Sequence, residues 1–86
     1  MIDLKDIAYV KGLQADVRAT FESDSGKEVM NFLEVSCGWY QSIFNPDSEG
    51  MTLINDGKRQ VLATIKTLLT CSAADIVAMA KRKEGV

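Results

Sequence analysis

The sequence contains no histidine and one proline in 86 residues, and only 7% of it is aromatic. Without imidazole there is no neutral-pH proton carrier, no Ser–His pair and no histidine metal ligand. One proline and few aromatics fit helices better than a strand-rich fold. Cysteine is nearly as scarce: Cys37 and Cys71 are the only two, and no motif surrounds either. They read as reduced core residues, not as a staple or a metal site. No apolar run is long enough to span a membrane. Met1-Ile2-Asp3-Leu4 is followed by alternating charges, unlike a signal peptide, so a cytoplasmic origin is expected.

What is present is 47% hydrophobic and 26% charged, a composition too apolar for a disordered chain. The length holds one small domain, read as residues 1–86, with one core of limited area. A net charge of −2 gives no global attraction to nucleic acid. Its distribution is uneven. Residues 1–36 carry seven acids and four bases, residues 37–56 three acids and no base, and residues 57–86 six bases and two acids. The basic last third reads first as a solvated helix face that also compensates a helix dipole. The second reading is a contact with a phosphate backbone or an acidic neighbour through Lys58, Arg59, Lys66, Lys81, Arg82 and Lys83.

The apolar periodicity predicts an all-α fold, a small bundle of three main helices plus a short C-terminal helix. The first helix is expected from about Asp3 to Phe21, with Ile7, Val10, Gln14, Val17 and Phe21 in one stripe. Asp3 is its expected cap. The second is expected to start at a Ser23 cap and to end near Ser36 to Gly38, where a glycine suits the C-terminal cap. Val29, Met30, Phe32, Leu33 and Val35 predict that it is the most buried helix. Residues 38–50 (GWYQSIFNPDSEG) join turn chemistry to Trp39, Tyr40, Ile43 and Phe44. That cluster reads first as a lid over the core and second as a partner surface. A third helix is expected from about Thr52 to Leu69, carrying Leu53, Ile54, Val61, Leu62, Ile65, Leu68 and Leu69. Ser72 then caps a fourth, with Ile76, Val77, Met79 and Ala80 inward and Lys81-Arg82-Lys83 at its end.

Two features imitate sites. A phosphate loop needs Gly, four residues, then Gly-Lys-Ser/Thr. Here Glu28 follows Gly26-Lys27, and Arg59 follows Gly57-Lys58, so neither fits. Asn45, Asp47, Glu49, Gly50 and Asp56 match a calcium-loop spacing. Asn at its first position, a short Asp at its last, Thr52 in place of an apolar residue and Pro46 near the start favour a solvated acidic turn. No catalytic, cofactor-binding or metal-binding residue is expected, and the chain is not expected to be an enzyme.

Two blocks remain, Asp16-Val17-x-x-x-Phe21-x-Ser23-x-x-Gly26-Lys27-x-Val29-Met30-x-x-Leu33 and Gly57-Lys58-Arg59-x-Val61-Leu62-x-x-Ile65-x-x-Leu68, with Phe44 between them. In order and spacing they resemble the Bbp19-like family of small proteins from tailed bacteriophages, over about residues 16–69. The chain departs from that family at Asp24, where a proline is usual, and in its 39–44 aromatic cluster. The resemblance implies a small helical protein encoded among virion-structure genes, chiefly of short-tailed phages, with no catalytic residue to carry over.

The recurring family positions are Phe21, Ser23, Gly26, Gly57 and Arg59. Both glycines are expected to admit another backbone closely. Arg59 is expected to pair with Glu28 or Asp24, or to cap helix carbonyls. The implied function is a virion component, at the head-to-tail connector or among internal ejected proteins, that binds other virion proteins. Trp39, Tyr40 and Phe44 are its candidate anchors, and many copies in a ring would suit such a part. It would sit in the host cytoplasm during assembly and then in the virion. The alternatives are a nucleic-acid-associated or host-directed regulatory protein, or an assembly scaffold.

Overall fold

Side-chain caps set where each helix begins. The computed structural model describes residues 1–42 and 44–84, which form four helices and no strand. They are α1 (Ile7–Phe21), α2 (Asp24–Ser36), α3 (Glu49–Thr70) and α4 (Ala73–Glu84). Asp6 accepts from the Ala8 amide (3.0 Å) and Ser23 from that of Gly26 (3.0 Å). Ser48 accepts from Met51 (3.1 Å) and Ser72 from Asp75 (3.1 Å). Each bond satisfies one of the amides that a helix start leaves open.

Two of these starts correct the sequence reading. Asp3 does not cap α1; its carboxylate takes the Lys5 amide (3.1 Å) and its carbonyl the Asp6 amide (3.2 Å), forming a turn ahead of the helix. α3 begins before Thr52, because Ser48 is a competent cap. The Thr52 hydroxyl instead accepts the Asn45 amide (2.8 Å) and ties the preceding turn to the helix. From Glu49 onward the calcium-loop pattern lies on a helical rod, which spreads its carboxylates and cannot wrap an ion.

Helix α1 is the hub on which α2, α3 and α4 each pack. The central cluster is Val10 of α1 with Ala73, Ile76 and Val77 of α4, flanked by Leu68, Cys71 and Met79. The C-terminal helix therefore supplies most of the core. Gln14 lies one turn beyond Val10 and is only 4% exposed. Its side-chain amide donates to the carbonyls of Leu68 (3.1 Å) and Cys71 (2.7 Å). A polar residue in an apolar stripe thus caps the C-terminal end of another helix, where carbonyls lack intrahelical partners.

The second helix is the main departure. It is not the most buried: Gly26 is its one buried residue, and Val29, Phe32 and Val35 are exposed. Only Met30, Leu33 and Glu34, half-buried, turn inward beside it. α2 closes on α1 at its first turn. A Cβ at Gly26 would overlap the Thr20 carbonyl oxygen and lie 2.6 Å from the Phe21 Cα, so the two backbones touch as the glycine there suggests. Gly57 differs, since a Cβ there meets nothing within 4 Å. Its expected close neighbour is not supplied by the described residues.

The outcome is a flat body of 44 × 40 × 20 Å, about two helix layers thick. Its radius of gyration is 15.0 Å, against about 12 Å for a compact domain of this length. The chain exposes 6197 Å², whereas a folded monomer of this mass exposes about 5,000 Å².

Candidate functional site

The connection after α2 is built around Gly38. Its φ of +62° is left-handed, a conformation that costs other residues about 1–2 kcal/mol. The Trp39 amide donates to the Glu34 carbonyl (2.9 Å) and the Gly38 amide to that of Val35 (3.2 Å), closing a Schellman cap. Space is not limiting at Gly38, since the nearest atom to a Cβ would be 3.6 Å away. Gly38→Ala is therefore expected to cost about 1–2 kcal/mol through backbone strain. Chemical denaturation checks this; an unchanged midpoint would refute it.

The cap throws Trp39 back onto α3. The Lys66 ammonium lies 4.4 Å from the centroid of its ring and the Arg59 guanidinium 5.5 Å, both cation–π contacts. Lys66 also pairs with Glu34 at 2.9 Å. The Tyr40 hydroxyl donates to the same carboxylate oxygen at 2.6 Å. Arg59 thus rests on Trp39, not on Glu28, Asp24 or helix carbonyls. An arginine one side of an indole and a lysine nearby were not readable as a pair from sequence spacing, because the Gly38 turn decides which face Trp39 presents.

That network has a pH signature. The Tyr40 hydrogen bond, and then the one from Lys66, hold the Glu34 carboxyl below its usual 4.5. The bond to Glu34 raises the Tyr40 phenol above its usual 10.0. A depressed carboxyl contributes stability above its unfolded value and loses it as pH falls through the folded one. A raised phenol contributes below 10.0 and loses it as pH rises through the folded value. The tie is expected to be constant across neutral pH and to loosen at both extremes. Tyr40→Phe should move the Glu34 pKa up toward 4.5 in an NMR titration. A Glu34 titration that does not move would contradict the network.

The three candidate anchors separate. Trp39 is half-buried as a lid on α3, while Tyr40 is 80% and Phe44 68% exposed. Ile43 of the same cluster lies outside the described residues. Of the family positions, Phe21, Ser23 and Gly26 come together at the α1–α2 junction, and Gly57 and Arg59 lie on different sides of α3. Of the six basic candidates, Arg59 and Lys66 are engaged by Trp39 and Glu34, whereas Lys58, Lys81, Arg82 and Lys83 are exposed. No three metal-ligating side chains cluster among the described residues, and no described helix is long and apolar enough to cross a membrane.

The sequence reading missed the most open apolar surface. The outer side of α2 carries Val29, Phe32 and Val35, and the outer side of α3 carries Leu53, Ile54 and Val61, each at least half exposed. Their spacing did signal helical faces, but periodicity does not tell a face covered by its own chain from one left open.

The profile of the Bbp19-like phage proteins matches residues 17–81. The chain belongs to the Bbp19-like phage protein family. The match reaches beyond residues 16–69 and takes in most of α4. The α4 part of the core of this Bbp19-like chain, Ala73, Ile76 and Val77, therefore lies in the family region, whereas Val10 and Gln14 of α1 precede it. No curated protein and no solved structure matches the chain.

Proposed function

We propose that this Bbp19-like protein is a non-enzymatic part of the phage virion, at the head-to-tail connector or among the internal proteins ejected with the DNA. It works by protein–protein contact. The observation that carries the reading is the set of exposed apolar side chains on α2 and α3, an open patch of the kind that marks interaction surfaces. Tyr40 and Phe44 add exposed aromatic anchors beside it, of the kind that dominate interface energetics. Trp39 serves differently, by fixing the connection that presents them.

Mass spectrometry of purified, nuclease-treated virions tests the proposal. Stoichiometric presence of the chain is the expected result. Expression in infected cells with absence from the particle would overturn it.

A further inference from the structure

We propose that the partner for the open surface is a second copy of this chain, with the outer face of α2 from one copy docked on the outer face of α3 from the next. This deepens the virion reading by naming one partner, and it makes the protein self-assembling.

Area supports it first. The chain exposes 6197 Å², about 1,200 Å² more than a folded monomer of its mass. A stable interface removes about 800 Å² per partner. Each copy would give its α2 face to one neighbour and its α3 face to another, about 1,600 Å² in all, so the surplus is of the order that such contacts cover.

Shape supports it second. On α2 the protruding group is Phe32, 65% exposed. On α3 the matching position is a gap: Gly57 has no side chain and nothing within 4 Å of where one would start. Ile54 and Val61, 52% and 66% exposed, stand about one turn to either side of it. An aromatic ring seated in that gap between two branched side chains is the ridge-into-groove fit by which helices pack.

Charge supports it third. Asp24 and Glu28 border the α2 face; Lys58 borders one side of the α3 face, and on its other side the Asp56 carboxylate is taken up by the Gln60 amide (2.8 Å). Asp24, Glu28 and Lys58 are exposed and make no ion pair among the described residues. Pairing α2 with α2 would set Phe32 against Phe32 and acid near acid. Pairing α3 with α3 would set gap against gap and Lys58 near Lys58. The crossed arrangement matches knob to gap and acid to base, and like-charge contacts disfavour the other two.

Phe32→Glu and Gly57→Arg test the contact, each spoiling one of the two faces at an exposed position. Sedimentation velocity on the purified full chain is the measurement, with circular dichroism to confirm unchanged helix content. Val29→Lys and Val61→Glu stand in for any variant that loses helicity. The wild type is expected to self-associate, and each variant alone to associate at least tenfold more weakly. An equimolar mixture is expected to recover a heterodimer, because Phe32→Glu keeps its α3 face and Gly57→Arg keeps its α2 face. A monomeric wild type, variants that associate like the wild type, or a mixture that stays monomeric would each overturn the contact. Such a failure would leave the virion proposal standing, since that rests on the composition of particles.

Discussion

Gln14→Met is expected to destabilise the protein by about 2–3 kcal/mol, since a buried polar group stripped of its partner costs on the order of 1–3 kcal/mol. For a domain of this length that corresponds to a fall in Tm of roughly 10–20 °C. Met keeps the length and fills the space, so the loss isolates the two hydrogen bonds to the Leu68 and Cys71 carbonyls. Those carbonyls belong to the end of α3, where the chain turns into α4. Without Gln14 they lose these donors at a part-buried helix end, next to the Val10, Ile76 and Val77 cluster. Gln14→Glu, of the same shape but without the donor amide, is expected to cost more, because it sets a carboxylate against two carbonyls. Thermal unfolding of both variants is the check. A Met variant as stable as the wild type would remove Gln14 from its place at the centre of the fold.

The second large effect is expected at Gly26. An added methyl would overlap the Thr20 carbonyl oxygen and stand 2.6 Å from the Phe21 Cα. These are backbone atoms, so no rotamer change relieves the clash. α2 must shift off α1, and Gly26→Ala should cost about 3 kcal/mol or more, the upper range for overpacking. Gly57→Ala has the opposite sign. It places a methyl in open space on a helix and is expected to gain about 1 kcal/mol. Chemical denaturation of the two variants side by side decides the matter. Equal shifts would contradict the view that the two family glycines do different work, one inside the fold and one on its surface.

Much of this fold was legible because the signals were local. Ser23, Ser72 and Gly38 each mark a helix end by side-chain or backbone chemistry that acts within a few residues. The helical period likewise placed Val10, Leu62, Ile76 and Val77 on inward faces, where all four are buried. The errors arose where the outcome depended on tertiary partners. Asp3 and Asp6 are equivalent caps by residue type, and the turn formed by Asp3 decides between them. Val29, Phe32 and Val35 have the spacing of a core face, but α1 receives the opposite side of α2, at Gly26.

The surface was harder to read than the fold for the same reason. Trp39, Tyr40 and Phe44 lie within six residues and are similar in type, and the Schellman turn at Gly38 turns Trp39 back while its neighbours stay exposed. Arg59 looked like a partner for a carboxylate; its contact with Trp39 depends on a chain reversal some twenty residues earlier. Gly57 reads from sequence as a place where another backbone can approach closely, yet a Cβ there meets nothing within 4 Å. Its openness turns that reading outward.

The most direct test of the account is the amount of this chain in particles of the encoding phage when Phe32 is replaced by Glu. Quantitative mass spectrometry with labelled reference peptides would compare wild-type and variant virions, after purified variant protein has shown unchanged helix content by circular dichroism. Stoichiometric incorporation of the wild type and a loss of at least tenfold for Phe32→Glu is the predicted result. Equal amounts of both, or no wild-type chain in the particle, would contradict it.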